Sequence, residues 1–202
     1  MLIEQPTFIL NKIYPKALFR KNPEERTVYL TFDDGPIPEV TPWVLDILDK
    51  YDVKATFFVV GDNVKKYPEQ LQEVIARGHR IGNHTFNHVR GMAMRPHDYV
   101  ENIKKCDRYF TSNLFRPPHG IMRRWVYRNM QPEYKIVFYD VVTRDYSYNL
   151  TGNDVLQNVK KYTRNGSIIV FHDSLRSEPR LKYALPKSIE WLKEQGYSFG
   201  LL

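Results

Sequence analysis

The segment TVYLTFDDG, residues 27–35, joins a run of β-branched and aromatic residues to two adjacent acids. Such a run is typical of a buried strand, because these side chains fill the pleated surface of a sheet. Asp33 and Asp34 follow the run directly, so we expect them at the carboxyl end of that strand. The alternative is a solvated turn, since an Asp-Gly pair also favours turns. Adjacent carboxylates repel each other, so their burial requires a cation or a role in proton transfer.

Similar runs recur along the chain and alternate with segments of helical spacing. We predict strands at Thr27–Phe32, Ala55–Val60, His79–Gly82, Leu114–Arg116, Lys135–Asp140, Ser167–Phe171 and Tyr197–Leu202. We predict five helices. The first begins at Thr41–Pro42, and the others lie at Pro68–Gly78, Tyr99–Phe110, Asp154–Tyr162 and Pro186–Gln195. This alternation predicts right-handed βαβ units, a parallel sheet and the α/β fold class.

Ionisable residues collect at or just after the carboxyl ends of five of the predicted strands. They are Asp33 and Asp34, His84 and His88, Arg116, Asp140 and Asp145, and His172. In a barrel the carboxyl ends of all strands meet at one mouth, where such enzymes keep their active sites. In an open sheet only the strands beside the switch point would share a site. The spread over five strands therefore favours a (β/α) barrel of about seven parallel strands.

His84 and His88 lie four residues apart, a spacing that places both imidazoles on one face of a helical turn. Two such nitrogens and one carboxylate would hold a divalent metal and leave positions open for water. A metal of this kind lowers the pKa of bound water to about 7 and polarises a carbonyl. One acid of the Asp33-Asp34 pair could bind the metal while the other accepts a proton, because neighbouring strand residues point in different directions. The plain alternative for each histidine is a structural or surface residue.

Composition excludes several other classes of protein. The chain has 202 residues, of which 42% are hydrophobic and 26% charged, which fits a single globular domain. Its one cysteine, Cys106, excludes an internal disulfide and a cysteine-rich zinc site, and we expect it in the core. The net charge of +7 weakly favours an anionic partner. We expect no membrane span, because no apolar run approaches the roughly 18 residues that one needs.

The N-terminal segment, residues 1–24, is expected to pack on the barrel or to precede it. Glu4, Lys12 and Lys16 interrupt its apolar residues, so we do not predict a signal peptide. A weak interfacial anchor is the alternative, because the segment mixes bulky apolar and basic residues. A cytoplasmic location is the default expectation, and action outside the membrane is left open.

Five short motifs follow one another along the chain. They are TFDDG at 31–35, HTFNH at 84–88, RPPHG at 116–120, the stretch from Asp140 to Tyr146, and IVFH at 169–172. Together they resemble the ordered motifs of polysaccharide deacetylases, the NodB-homology family or carbohydrate esterase family 4. The resemblance begins at Thr27 and assigns residues 25–202 to one such domain. It implies a distorted (β/α) barrel, in agreement with the fold predicted from the strand ends.

The resemblance also implies a metal centre and a base. Asp34, His84 and His88 would bind the metal, which in this family is usually zinc and sometimes cobalt or nickel. Asp33 would be the general base of the reaction. Arg116 would orient Asp33 through a charge-assisted pair, and the alternative for this arginine is a structural role in a surface turn.

An acid is implied at the end of the predicted strand Ser167–Phe171. His172 would protonate the leaving amine, and Asp145 would pair with it and stabilise its imidazolium form. Asp173 is the less favoured partner, because adjacent strand residues face opposite ways. Asp140 would either support the site or simply hold a loop.

The resemblance further implies a substrate pocket. The backbone N–H of His119 would help to stabilise the oxyanion, and Tyr146 and Val170 would line the pocket around the acetyl group. The family often has Tyr, Trp and Leu at these three positions. The change at His119 does not affect the stabilisation of the oxyanion, because the backbone N–H provides it. The changes at Tyr146 and Val170 leave the identity of the acyl group open.

The implied reaction removes N-acetyl groups from an amino sugar or an N-acetylglucosamine-containing polysaccharide and releases acetate. The polysaccharide would resemble a chitin oligosaccharide or peptidoglycan. Such an enzyme hydrolyses carbon–nitrogen bonds other than peptide bonds. Its partner would be an N-acetylated carbohydrate and not nucleic acid, and the oligomeric state is left open. The main alternative is an amidase of the same fold that acts on a small non-glycan amide. A non-catalytic glycan-binding domain is a remote alternative.

Basic and aromatic residues near the proposed mouth bear on the substrate. Arg144, Arg176 and the basic run at 122–128 could form a rim for a carboxylate, a phosphate or an anionic glycan, or only a solvated surface. Trp125 and Tyr127 could stack on sugar rings or pack against their own helix.

Overall fold

Strands and helices alternate along the computed structural model, which describes residues 4–6 and 8–202. The strands are β1 (Thr27–Asp33), β2 (Thr56–Val59), β3 (Arg80–Asn83), β4 (Leu114–Phe115), β5 (Lys135–Ile136), β6 (Val141–Val142), β7 (Ile168–His172) and β8 (Ser198–Phe199). The α-helices are α1 (Phe8–Ile13), α2 (Thr41–Lys50), α3 (Gly61–Lys66), α4 (Pro68–Ala76), α5 (Pro96–Lys104), α6 (Arg124–Met130), α7 (Gly152–Tyr162) and α8 (Glu178–Glu194). Short 3-10 turns cover Lys105–Arg108 and Pro118–Gly120.

The strands form a parallel sheet with β1 near its centre. Their order is β5-β4-β3-β2-β1-β7-β6, and β8 pairs with the start of β1. The central position suits β1, because every residue after Thr27 in this strand is buried. The register of β1 against β7 sets Asp33 beside His172. Two residues that are far apart in the sequence are therefore held at the same level of the sheet.

Side chains alternate between the two faces of β1. Val28, Leu30 and Phe32 share a core cluster with apolar residues of α2, α4, α7 and α8. Tyr29 belongs to a different cluster, which includes Phe58 of β2. Because the period of a strand is two, Asp33 points to the same side as Tyr29, toward the interior enclosed by the strands.

The sheet curls until its two edge strands, β5 and β6, are joined by only residues 137–140. These residues make backbone hydrogen bonds to Phe115 on one side and to Ile168 on the other, at 2.8 and 3.0 Å. Leu18 and Arg20 of the N-terminal segment form β-bridges in the same region. The fold is a distorted (β/α) barrel, which confirms the prediction made from the strand ends.

Several element boundaries differ from the sequence predictions. The last helix begins at Glu178, well before Pro186, which lies inside it. Leu181 and Leu185 before the proline and Ile189 after it form one buried face, and this burial outweighs the lost backbone hydrogen bond. Of the strand predicted over 135–140, only Lys135–Ile136 is a strand (β5), and the next strand, β6, begins beyond it at Val141. The helix predicted to reach Phe110 ends at Lys104 and continues as a 3-10 turn.

Helices α1 and α3 are additional to the predicted helices, and each is six residues long. Such short segments contain too few apolar repeats to reveal a helical period. Within residues 4–6 and 8–202, no helix combines the length and the apolar character that crossing a membrane requires.

Candidate active site

A cavity of about 440 Å³ opens where the carboxyl ends of the strands meet. Most of the predicted site residues line it: Asp33, Asp34, His84, His88, Arg116, His119, Tyr146, Val170 and His172. Asp145 is fully buried and contacts His172 directly. The fold thus brings all the predicted site residues together, although they come from well-separated parts of the chain.

Asp33 and Arg116 form a buried ion pair in the wall of this cavity. Arg116 Nη1 donates to Asp33 Oδ1 at 2.7 Å and to Thr31 Oγ1 at 2.8 Å. Arg116 Nη2 donates to the carbonyl of Phe138 at 3.0 Å. The alternative of a surface turn for Arg116 is therefore wrong, since its side chain is only 3% exposed. Its fixed guanidinium holds the Asp33 carboxylate in one orientation.

Asp34, His84 and His88 offer three ligand atoms that lie within 4.8 Å of one another. Asp34 Oδ1 is 3.1 Å from His88 Nε2 and 3.9 Å from His84 Nε2. Ligand atoms lie about 3.4 Å apart in a tetrahedral site with bonds of about 2.0–2.1 Å, so this spacing suits a metal ion. Asp34 Oδ1 is also buried, and its contact with His88 does not have hydrogen-bond geometry, so this oxygen has no hydrogen-bond partner among the residues that the structure describes. A cation would satisfy this oxygen, so the residues fit a divalent metal.

The protonation states of the same residues favour metal binding. His84 Nδ1 is 2.8 Å from the carbonyl of Arg116, so Nδ1 carries the proton and Nε2 keeps its lone pair. Burial lowers the pKa of His84 to about 4, which keeps the ring neutral. Burial acts to raise the pKa of Asp34, but the adjacent His88 and the charge of His172 hold it well below its ordinary value. Asp34 is therefore ionised.

The loop between the two histidines is not helical. Thr85 and His88 have φ angles of 67° and 52°, in the left-handed region. The prediction of a helical turn is wrong, although the two imidazoles do meet. Side-chain hydrogen bonds shape the loop instead: Asn83 Oδ1 accepts from the Thr85 N–H at 2.8 Å, and Asn102 Oδ1 accepts from the Phe86 N–H at 2.9 Å.

His172 ends β7 and lines the cavity. Asp145 contacts it twice, because Oδ2 accepts from the His172 backbone N–H at 2.8 Å and Oδ1 lies 2.7 Å from Nδ1. Burial acts to lower the pKa of His172, but the Asp145 carboxylate outweighs this effect and the pKa is about 9. The ring is therefore an imidazolium near neutral pH, with Nε2 left for the cavity.

Two other acids near the site have structural contacts. Asp173 accepts from the Gly35 N–H at 3.1 Å and from the hydroxyl of the first residue of α2 at 2.6 Å. It faces away from His172, as the alternation of strand residues predicts. Asp140 binds the Arg164 guanidinium through both oxygens, at 2.6 and 3.0 Å, and thereby holds a loop.

The remaining predicted residues lie around the mouth. His119 has a φ of 61°, and burial lowers the pKa of its ring. Tyr146 stands edge-on to His172 with ring centroids 4.9 Å apart. Tyr139 and Arg90 also line the cavity and are additional to the predicted residues. In the sequence, Tyr139 directly precedes the motif that begins at Asp140, and Arg90 closely follows the motif that ends at His88. This proximity to the motifs is the only feature of the sequence that indicates these two residues.

The basic and aromatic residues separate into two groups. Tyr127 is buried and its hydroxyl accepts from a backbone N–H of the N-terminal segment at 2.9 Å, so it packs between α6 and that segment and does not face the cavity. Trp125 is 43% exposed and lies against His97, outside the cavity lining. Arg144 is paired with Glu4 at 2.6 Å and does not contribute a free charge. Arg176 does line the cavity.

Comparisons with known proteins agree with this geometry. The model of the polysaccharide deacetylase family matches residues 20–133. A peptidoglycan-N-acetylglucosamine deacetylase of Bacillus cereus is 33% identical over 183 residues, covering 87% of this chain and 85% of that protein. The peptidoglycan-N-acetylmuramic acid deacetylase PdaA of Bacillus subtilis is 33% identical over 202 residues, covering 94% of this chain and 76% of that protein.

The crystal structure of the Bc1960 peptidoglycan N-acetylglucosamine deacetylase, bound to a hydroxamate-type benzamide, superposes with a TM-score of 0.88 at 30% identity. The match covers 98% of this chain and 95% of that one. Relatives of this similarity share the whole barrel and not only the short motifs. The chain belongs to the polysaccharide deacetylase family.

Proposed function

We propose that the protein is a metal-dependent deacetylase that removes N-acetyl groups from the amino sugars of peptidoglycan and releases acetate. The observation that carries the proposal is the convergence of an acid pair, two imidazoles and a paired imidazolium on one cavity. Relatives named for N-acetylglucosamine and for N-acetylmuramic acid of peptidoglycan support the substrate class. Because peptidoglycan lies outside the cytoplasmic membrane, action outside the membrane is part of the proposal.

Asp34, His84 and His88 would hold a divalent cation. Zinc is the proposed ion, with cobalt or nickel as substitutes, because imidazole nitrogens and a carboxylate oxygen suit all three. When bound, such a cation polarises an amide carbonyl and lowers the pKa of water. The buried Asp34 oxygen, which has no hydrogen-bond partner in the described part of the chain, supports this assignment.

Asp33 would accept the proton of the water that attacks the acetyl carbonyl carbon. Arg116 would keep the carboxylate oriented during this transfer through its 2.7 Å contact. The backbone N–H of His119 would donate to the oxygen that becomes negatively charged. Tyr146 and Val170 would line the space around the acetyl methyl group.

His172 would give its Nε2 proton to the amide nitrogen while the carbon–nitrogen bond breaks. The products are then acetate and a free amine on the sugar. Asp145 would favour the charged form of His172 before the transfer, through its contact with Nδ1.

The test is acetate release by the zinc-loaded protein from peptidoglycan fragments and from soluble N-acetylglucosamine oligomers. An Asp33→Asn variant should lose roughly 100-fold or more in turnover, the usual effect of a positioned general base. It should still bind zinc, because its metal ligands remain. Asp46→Asn changes an exposed acid on α2 and is the matched control. Full activity of Asp33→Asn would exclude its role as base, and a wild-type protein that releases no acetate from any of these substrates would refute the proposed function.

A further inference from the structure

Two arginines in the cavity lining face no acid. Arg90 and Arg176 line the cavity, and among the residues that the structure describes neither forms an ion pair with a carboxylate. The two other arginines nearby are neutralised, because Arg116 pairs with Asp33 and Arg144 pairs with Glu4. The cavity therefore carries two uncompensated positive charges.

Arg176 is held in a defined orientation. Its Nε donates to the carbonyl of Tyr146 at 2.7 Å. Its guanidinium lies 4.8 Å from the ring centroid of Tyr148 and 5.9 Å from that of Tyr146. The terminal amino groups have no protein partner within the described part of the chain. A guanidinium fixed in this way offers two parallel donors at little further cost in entropy.

Arg90 approaches from another side of the cavity. It follows the loop after β3, whereas Arg176 follows β7, and β2 and β1 separate these two strands in the sheet. The side chain of Arg90 is exposed and forms no ion pair within residues 4–6 and 8–202, so it can contact a bound molecule.

The acids of the cavity do not cancel these charges. Asp33 is 2.7 Å from Arg116, and Asp145 is 2.7 Å from His172. Asp34 lies between two imidazoles, where a cation would bind. A negatively charged group that entered beside the cluster would therefore meet unpaired arginines rather than unpaired carboxylates.

We infer that Arg90 and Arg176 form a subsite for a carboxylate that the substrate carries close to its N-acetylated sugar. The inference rests on the proposed function and narrows its substrate to an acidic N-acetylated glycan. A carboxylate matches the paired donors of a guanidinium, whereas a neutral glycan would leave both arginines unpaired. Sugar hydroxyls alone do not require two positive charges at this position.

Binding can be measured by calorimetry in a zinc-loaded Asp33→Asn background, where turnover does not interfere. The two ligands are a disaccharide of N-acetylglucosamine and N-acetylmuramic acid, and the methyl ester of the same disaccharide. They differ only at the carboxyl group, which is charged in the free acid and is a neutral methyl ester in the other ligand. We expect the free acid to bind about 10-fold more tightly than the ester, the usual size of a hydrogen-bonded charge contact. This preference should shrink as salt is raised, because the arginines are accessible to solvent.

Variants assign the preference to the two arginines. Arg90→Gln combined with Arg176→Gln should abolish the difference between acid and ester, and Arg176→Lys alone should keep part of it because the charge remains. Arg108→Gln removes an exposed arginine outside the cavity lining and should keep the full preference. Equal binding of acid and ester to the parent protein, or a preference that persists in the double variant, would overturn the inference.

The outcomes also separate this inference from the proposed function. If the acid binds more tightly but the wild-type protein deacetylates neither ligand, the subsite stands and the proposed function fails. If the wild-type protein deacetylates both ligands and the Asp33→Asn protein binds them equally, the proposed function stands and the subsite fails.

Discussion

Replacing Asp145 with Asn tests whether this acid holds the proton on His172. Asparagine keeps an oxygen for the His172 backbone N–H, 2.8 Å away, but removes the charge that lies 2.7 Å from Nδ1. The pKa of His172 is about 9 against an ordinary value of 6.5. This difference stabilises the imidazolium by about 3 kcal/mol, at about 1.4 kcal/mol for each pKa unit. Without the Asp145 charge, only the smaller effects of the Asp34 and Asp33 charges still oppose the lowering effect of burial, so we expect the pKa of His172 to fall from about 9 toward 6.5 in Asp145→Asn.

The assay is an NMR titration of the labelled histidine ring in metal-free protein, because a bound cation would itself shift this pKa. At pH 7.5 the charged fraction should fall from nearly all to about one tenth, and proton donation in turnover should slow about 10-fold. Asp173→Asn is the matched control, since Asp173 faces away from the ring and its loss should leave the pKa near 9. A variant in which His172 still titrates near 9 would refute the assignment of the proton to this pair.

The same pair predicts how stability depends on pH. The folded pKa of His172 lies above the ordinary value of 6.5, so folding favours the protonated form. Its contribution to the free energy of unfolding is complete below about pH 6.5 and is lost as the pH rises through about 9. Urea unfolding of the metal-free protein should show this loss in the wild type and not in Asp145→Asn.

Three further changes test the metal centre and its supports. Arg116→Leu should lower the free energy of unfolding by about 3–5 kcal/mol, measured by urea denaturation, because its acid partner would remain buried and unpaired. A loss below about 1 kcal/mol would contradict this expectation. Asp34→Asn should abolish stoichiometric zinc binding in the dialysed protein. Asp140→Asn is the control and should retain the zinc, because the Asp140 carboxylate binds a loop arginine. Equal zinc content in both variants would count against Asp34 as a ligand. Gly35→Ala should lower the melting temperature by several degrees, because the added Cβ would clash with the Asp173 carboxylate. An unchanged midpoint would show that the strand end adjusts freely.

The alternation of side chains along each strand was sufficient to predict the side of the sheet to which the ionisable residues at the strand ends point. The alternation in β1 places Asp33 on the inner face, and the same alternation in β7 turns His172 inward and Asp173 outward. The barrel was predicted from the ionisable residues at the ends of several strands, because only a curled sheet brings those ends to one cavity. These predictions succeed because a period of two leaves each strand residue only two directions.

Predictions failed where long-range contacts decide the local conformation. The spacing of His84 and His88 matches a helical turn, but the loop is shaped by hydrogen bonds to Asn102, which belongs to α5. The sequence leaves Arg144 either in a basic rim or on a solvated surface, whereas in the structure it pairs with Glu4 of the N-terminal segment. Pro186 resembled a helix start because the apolar face that carries α8 past it becomes visible only in the packed structure. No short window of sequence contains these partners.

The pairing of β1 with β7 has a consequence for how the chain folds. Until β7 docks, β1 has an unpaired edge, and joining the two strands closes a loop that contains most of the barrel. Topologies of this kind fold slowly, and an open hydrophobic strand edge can recruit another chain. We expect intermediates that lack β7 to aggregate, and we expect amide protons on the β7-facing edge of β1 to gain exchange protection together with those of β7. Early protection of that edge during refolding, before β7 is protected, would contradict this order of assembly.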